Sequence, residues 1–476
     1  MGSSMTSEIS GEDERQDNDH NNHLLNEYFS RKLPGGKILI TTRHGSWSIL
    51  SGEQYNALES GAFEKDRILC HELKGKGIIL DEKSVPKIVN AFRENYHCLV
   101  NPRPLCIVYL TSRCNLGCRY CLAGAKKDGE DMSHDMMESI IAFIAAMPHE
   151  HIALEFQGGE TLLRFDLLKD FLKNFDEKIK SSAKTVDSKV IVSNLTLMNE
   201  EIAEFILKND IGLCTSLDGP KELHDSQRPF LDSSGSYGSV MKWLRFFSKK
   251  GRKIGLLPTI TAETLKHDPR ALVDEYRKAG ADHIFFRPAY PLGRARDKTF
   301  TPAPEAYFQF WRKAVDYMVD LSMDGHVFYD NAVRNMLVSI LTSRRPDMCM
   351  RRPCGAGINH LAFWLDGSIY ACDLGKKIDS FKLGDVSTST YEDIFLNTIH
   401  LRAATQESQP LCDTCAYSAF CGSCPCKSYG RFKKTVAVTP QDFDCKVNKM
   451  MLDYIFGKMD DPKYKTVFEM WVRLKA

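Results

Sequence analysis

Short apolar runs alternate with amphipathic stretches from about residue 102 to residue 325. CIVYLTS (106–112), IALEFQG (152–158), KVIVSNL (189–195), GLCTSLDG (212–219), IGLLPTIT (254–261) and HIFFRPAY (283–290) read as strands. Between them, SHDMMESIIAFIAAM and FDLLKDFLKNFDEKI repeat their apolar residues at the three- and four-residue spacing of a helix face. Six β/α units in succession predict an α/β fold, a parallel sheet with helices outside that curls into a full or partial barrel. Its chemistry should then sit in loops at the strand C-termini.

The flanks break this rhythm. Residues 1–22 are polar, acidic and nearly free of apolar side chains, which predicts a disordered tail. Residues 23–101 predict a small α+β module. KILITTRHGSWSIL reads as two strands around an RHGS turn, SGEQYNALESGAF as a short helix opening at a serine cap, and KGIILDEKSVPKIVNAFRENYH as a further strand and helix. Beyond 325 the β/α pattern fades, and from Met348 cysteines crowd in at 349, 354, 372, 412, 415, 421, 424, 426 and 445. Such a loop-rich segment, 326–476, predicts a domain organised around metal rather than around a core.

At 476 residues, 43% of them hydrophobic, the chain has material for two or three domains. Sixty-three basic residues against 62 acidic ones leave a net charge of +1, which gives no electrostatic case for nucleic acid or an anionic membrane. No run approaches the roughly 18–20 apolar residues that cross a bilayer, and the N-terminus lacks the basic and apolar parts of a signal peptide. The expected location is cytoplasmic. There a reducing milieu keeps thiols free, so 16 cysteines point to metal ligation rather than to disulfides.

Cys114, Cys118 and Cys121 follow directly on the first barrel strand, in TSRCNLGCRYCLAG. A structural zinc site wants four closed ligands, usually supplied as pairs, whereas three thiolates suit a [4Fe-4S] cluster with one iron left open. A zinc site borrowing a distant fourth ligand is the competing reading. CNLGCRYC resembles the CxxxCxxC motif of the radical S-adenosylmethionine (radical SAM) enzymes, including the aromatic Tyr120 before the third cysteine. The resemblance implies a cluster whose open iron holds the methionine moiety of S-adenosylmethionine, and reductive cleavage to a 5'-deoxyadenosyl radical. The cofactor supplies the radical and the protein aims it.

Other strand ends agree with this resemblance. FQGGET is similar to the family's GGE motif, which implies that Gly158, Gly159 and Glu160 meet the methionine amino group; two glycines also permit close backbone approach to a ligand. VSNLTLMN stands where the family has a ribose contact, making Ser193 and Asn194 candidates, with a helix-capping turn as the plain alternative. SLDGPKELHDSQRP resembles the SxDGPxxxHDxxR segment of peptide-modifying members. That implies a cofactor contact for Ser216 and a methionine carboxylate for the Arg228 fork, with His224 and Asp225 fixing the loop.

The C-terminal cysteines resemble a SPASM domain carrying two auxiliary [4Fe-4S] clusters, three clusters in all. By the family's interleaved order, the first auxiliary cluster takes Cys349, Cys354, Cys372 and Cys424, with Cys426 in reserve. The second takes Cys412, Cys415, Cys421 and Cys445. A zinc ribbon on Cys412, Cys415, Cys421 and Cys424 is the alternative, and it leaves the other cysteines unexplained. Asp373, next to Cys372, matches a catalytic base in maturases that oxidise serine or cysteine; a turn cap is the structural alternative. Cys70, Cys98, Cys106 and Cys214 sit in apolar runs and read as buried thiols.

The whole resembles the SPASM peptide maturases, most closely those of His-Xaa-Ser type systems, with relatives among the anaerobic sulfatase maturases. It implies an oxidoreductase acting on a ribosomally made (RiPP) precursor peptide. The leader would be gripped by a winged-helix-like 23–101 module, residues 102–325 would form the radical SAM barrel, and electrons would come from a donor such as flavodoxin or ferredoxin. Cyclophane-type crosslinking is the main expectation. Formylglycine formation on serine or cysteine is the second, and a non-catalytic electron-transfer protein stands as the reading from another class.

Overall fold

The computed structural model describes residues 24–180, 182–297, 299–346, 348–399, 401, 411–436 and 440–474. The tail predicted over 1–22 lies outside them, as does the side chain of Cys98.

The N-terminal module is a three-stranded antiparallel sheet, β1 (Tyr28–Lys32), β2 (Ile38–Thr42) and β3 (Trp47–Leu50), in that order. Helices α1 (Gly52–Glu59), α2 (Arg67–Gly75) and α3 (Ser84–Val100) follow. The serine cap is present: Ser51 Oγ accepts from Gln54 N, and Gln54 returns the bond to the Ser51 N–H. The strand expected at KGIIL is reduced to a single bridge between Leu25 and Ile79, and β1 is a strand that the pattern did not announce. Ile40, Leu50, Leu58, Phe63, Leu69, Leu73, Ile78 and Ile79 give the module its own core.

The barrel sheet contains β4 (Leu105–Thr111), β5 (His151–Gly158), β6 (Thr185–Val192), β7 (Gly212–Thr215) and β8 (Gly255–Leu256), all parallel, with α4 (His134–Ala146), α5 (Phe165–Ile179) and α6 (Glu200–Lys208) as crossovers. After β7 come α7 (Lys221–Gln227) and α8 (Tyr237–Lys249). This is the partial α/β barrel that the alternation predicts, but its last two strands are broken. IGLLPTIT splits into β8 and β9 (Thr259–Ile260). After α9 (Pro269–Lys278), HIFFRPAY splits into β10 (His283–Ile284) and β11 (Arg287–Pro288), and β11 pairs with β9. Pro258, which lacks the N–H that a continuous ladder needs, stands in the break between β8 and β9, whereas the break in HIFFRPAY falls at Phe285 and Phe286, ahead of Pro288.

The sheet does not stop at residue 325. Helix α10 (Pro304–Met323) leads into β12 (Tyr329–Asp330), which pairs with β10, and α11 (Asn331–Leu341) follows. Further on, β13 (His360–Phe363) lies parallel to β4, and β14 (Ser368–Tyr370) and β15 (Lys382–Asp385) extend the same sheet to eight strands. Helices α12 (Tyr391–Leu396), α13 (Pro425–Phe432), α14 (Phe443–Gly457) and α15 (Pro462–Arg473) complete the chain. Their buried Phe443, Ile455, Phe468 and Trp471 belong to the same hydrophobic cluster as the barrel residues Leu154 and Phe156. The C-terminal region therefore shares the barrel's apolar core as well as carrying its cysteines.

Candidate active site

The loop after β4 carries Cys114, Cys118 and Cys121, and all three line one cavity of about 1690 Å³ at the C-terminal end of the barrel strands. Tyr120, Gly158, Gly159, Ser193, Asn194, Ser216, Arg228 and Asp373 line the same space. Glu160 is the one predicted cofactor contact that does not: it is 1% exposed and lies behind the wall. Its carboxylate accepts from Ser193 Oγ at 2.7 Å, Asn194 N at 2.7 Å and Leu162 N at 3.0 Å, so it braces the Ser193–Asn194 turn. Burial pushes its pKa up against these bonds.

The two glycines answer to the cysteine loop more than to a ligand. Gly159 N and Glu160 N donate to Thr111 O and Arg113 O, both at 2.8 Å. A Cβ on Gly158 would sit 2.7 Å from Thr111 O, and one on Gly159 would overlap the Arg113 carbonyl. Only glycine lets the end of β5 press against the start of this loop. On its other side the loop is held by Arg294, which donates to Cys118 O at 2.9 Å and to Ala125 O.

A buried hub behind the loop was not foreseen. Asp218, fully buried, accepts from the Tyr120 hydroxyl, from Arg228 Nε at 3.0 Å and from Thr259 N at 3.1 Å. The Arg228 guanidinium lies 5.1 Å over the Tyr120 ring, and its Nη1 is 3.9 Å from Cys118 Sγ. His224 and Asp225 do fix this loop. His224 Nδ1 is 3.3 Å from Asp218 N and its Nε2 3.1 Å from Ser236 Oγ, while Asp225 accepts from Tyr237 N at 2.8 Å. Burial pushes the His224 imidazole down to about 4, so it is neutral at physiological pH.

Asp373 lines the same cavity as the thiols. It accepts from the Tyr109 hydroxyl and pairs with Lys376 Nζ at 2.5 Å. Burial works to raise its pKa, but Lys376, Tyr109 and the Arg287 charge prevail and hold it below the ordinary carboxylate range. Glu155 and Gln157 line that cavity too, 2.5 Å apart, with Tyr109 OH 3.0 Å from Gln157. Burial raises the Glu155 pKa. A parallel strand covered on both faces should be apolar throughout, so the alternating polar positions of ALEFQG were the signal for a wet barrel interior.

The donor set suits an iron-sulfur cluster. Cys114 Sγ accepts from Leu116 N at 3.4 Å and lies 3.9 Å from Asn194 Nδ2, and with Arg228 beside Cys118 these N–H groups offset thiolate charge. Burial pushes the unligated Cys114 and Cys118 thiols up to about 12 and about 11, so their anions need a metal or these donors.

The later cysteines form two further groups. Cys412, Cys415, Cys421 and Cys445 line a cavity of about 600 Å³, where Asn448 Nδ2 donates to Cys421 Sγ at 3.4 Å and the buried Ser423 hydroxyl has no hydrogen-bond partner among the described residues. Cys349 and Cys424 line a second cavity, of about 870 Å³, together with Lys427. Cys354, buried, is close enough to Cys424 and Cys372 to feel both charges, and burial lifts its thiol to about 12. The reserve residue Cys426 is 1% exposed, with Sγ 3.7 Å from Cys372 Sγ, and does not line that cavity. Cys424 is drawn down by a hydrogen bond from Cys426 against the effect of burial, with Lys427 assisting. Cys106 is buried and Cys70 and Cys214 are partly so. Among the described residues no helix is long and apolar enough to cross a membrane.

Residues 108–275 match the radical SAM superfamily. A cysteine-type anaerobic sulfatase-maturating enzyme of Clostridium novyi (strain NT) is 26% identical over 300 residues, covering 61% of this chain and 78% of that one. The fold is that of native anSMEcpe with bound AdoMet and Cp18Cys peptide, with a TM-score of 0.67, 20% identity, and 78% and 99% of the two chains covered. It is shared with Streptococcus suis SuiB bound to precursor peptide SuiA, with a TM-score of 0.53, 12% identity, and 88% and 99% covered. The family implies S-adenosylmethionine and a [4Fe-4S] cluster, and the three-thiol loop with its N–H donors fits both. Residues 108–275 of this chain thus resemble the radical SAM superfamily, and the chain is similar to the anaerobic sulfatase-maturating enzymes.

Proposed function

We propose that this chain is a peptide maturase that removes a hydrogen atom from a side-chain carbon of a ribosomally made precursor and installs an intramolecular crosslink. The observation that carries this reading is that Asp373 lines the same cavity as the three cluster-binding thiols. Bound to Cys114, Cys118 and Cys121, a cluster with S-adenosylmethionine supplies a carbon-centred oxidant for that hydrogen atom.

The chain's own residues do the rest. Ser193, Asn194, Ser216 and the backbone of Gly158 and Gly159 shape the cofactor's seat. Arg228, clamped by Asp218, offers a fixed cation for a carboxylate. Once the side-chain radical has bonded to the ring carbon of its partner residue, Asp373, ionised between Lys376 and Tyr109, would accept the proton lost from that ring carbon, and the remaining electron would pass to an auxiliary cluster. Cys372 precedes it in the chain, so the base stands beside the first of two auxiliary clusters. We assign that cluster to Cys349, Cys354, Cys372 and Cys424, since Cys424 and Cys349 share a cavity that Cys426 does not reach. The second belongs to Cys412, Cys415, Cys421 and Cys445. The 23–101 module, with two free sheet edges in β1 and β3, suits an extended leader peptide.

A second reading, oxidation of serine or cysteine to formylglycine, is favoured by the placement of Asp373 and by the sulfatase-maturating relative. Co-expression with a candidate precursor followed by mass spectrometry decides between them. Loss of two hydrogen atoms with no aldehyde trapped supports the crosslink, and a trapped aldehyde at serine or cysteine supports formylglycine. An unmodified precursor with no deoxyadenosine formed overturns both and leaves a non-catalytic iron-sulfur protein.

A further inference from the structure

A second concavity of about 1270 Å³ opens beside the reaction cavity and shares with it Leu122, Ala123, Asp373 and Lys376. Its wall carries six cations, Lys126, Arg294, Arg296, Lys376, Lys377 and Lys433, and a single acid, Asp373. These come from four separate places in the chain: the cysteine loop, the 293–297 turn, the segment after Cys372 and the end of α13. No single charged run explains their convergence.

Little of this surplus is paired within the groove itself. Among the described residues, Lys376 is the only one of the six with an ion pair, to Asp373, and Arg294 is spent on backbone carbonyls of the cysteine loop. Lys126, Arg296, Lys377 and Lys433 are exposed. Lys377 is pulled below the ordinary lysine pKa by burial of its stem, with the Glu130 and Asp366 charges opposing the shift and the Lys376 and Lys126 charges adding to it. Such crowding of like charge on a chain whose net charge is only +1 costs stability unless an anionic partner answers it.

We propose that this groove is the entry track for the substrate and that it selects a peptide with acidic residues beside the position to be modified. This deepens the maturase reading above and rests on it. A backbone lying along the groove passes Leu122 and Ala123 and delivers the next side chain to Asp373. Carboxylates flanking that residue would meet Lys126 and Lys377 on one side and Arg296 and Lys433 on the other. Lys376, already paired, would stay with the base.

The test uses the reconstituted full-length enzyme and three fluorescein-labelled probes: octaglutamate, a neutral glycine-serine octapeptide and an oligothymidylate of equal length. Fluorescence anisotropy is followed as salt is raised, for the wild type and for the double variant Arg296→Glu/Lys433→Glu. The expected result is binding of octaglutamate over the neutral peptide and the oligonucleotide, weakened by salt and by at least about tenfold in the double variant. Equal binding of the neutral peptide, tighter binding of the oligonucleotide, or an unchanged double variant overturns the proposal. Deoxyadenosine formation, measured on the same preparations, stays at the wild-type level in the double variant, because neither residue touches the thiols or the Arg228 clamp. Its loss there would mean that the groove substitutions damaged the barrel site, and would overturn the assignment of these residues to the track. Its absence from the wild type refutes the radical reading, independently of the peptide discrimination.

Discussion

The two cysteine neighbourhoods differ in number and in what surrounds them. In the barrel, three thiols on one loop face about 1690 Å³ of space walled by glycine backbone, an arginine clamp and an aspartate. In the C-terminal region, four thiols drawn from 412 to 445 close around about 600 Å³, with no predicted cofactor contact among its walls. The same ligand chemistry thus serves opposite ends. On the proposed ligand sets, three ligands and a large lined cavity would leave iron accessible to a small molecule, while four ligands in a smaller one would make a closed site. Asp373 stands where the barrel meets the C-terminal region, on the barrel's wall and next to Cys372, a cysteine outside that four-thiol group.

That meeting point gives the largest expected effect. Asp373→Asn should lower modified peptide per deoxyadenosine released by about a hundredfold or more. Deoxyadenosine itself persists, because the thiols and Arg228 are untouched. An unchanged ratio would separate Asp373 from the chemistry.

The barrel side can be broken through its hub. Asp218→Asn strands the Arg228 charge in a site where the carboxylate is fully buried and the guanidinium side chain 12% exposed. The expected cost is roughly 3–5 kcal/mol in urea denaturation, whereas Asp453→Asn, whose Arg31 partner is 35% exposed, should cost far less.

The closed site is sharpened by metal analysis. Cys415→Ala should lower iron from about twelve to about eight atoms per chain, as loss of one four-iron cluster requires, with the barrel cluster's spectrum unchanged. Zinc in the wild-type protein at this site would remove the distinction between the two regions.

The smallest effect is a pH dependence belonging to the barrel alone. His224 has a folded-state pKa of about 4 against an ordinary 6.5. Between these values the unfolded chain takes a proton that the folded one refuses, so this contribution is complete above pH 6.5 and is lost as pH falls toward 4. It amounts to roughly 3 kcal/mol at most. Denaturant midpoints compared at pH 7 and pH 5 should converge in His224→Gln.

Much of this was legible because thiol spacing and strand rhythm are local. The CxxxCxxC loop, the β/α alternation and the serine cap at 51 depend on neighbours in sequence, and the fold shows each of them in place. What the sequence hid was long-range. Glu160 lies in a motif that suggests a ligand contact, yet its carboxylate is used by a turn more than thirty residues away. Asp218 stood in full view in SLDGP, but its partnership with Tyr120, 98 residues distant, follows only from closure of the barrel. Pro258 could have warned that the run 254–261 would break, but the break at 285–286 has no such signal. Pairing of β13 with β4 has no sequence signal, since it joins strands far apart in the chain through shape and apolar area rather than through a motif.

The central claim is that the barrel loop is the open site and the C-terminal thiols are closed ones. Its most direct test is deoxyadenosine formation from S-adenosylmethionine under anaerobic reduction, in Cys118→Ala beside Cys415→Ala. The account predicts formation abolished in the first and retained in the second. Formation that survives Cys118→Ala would contradict it.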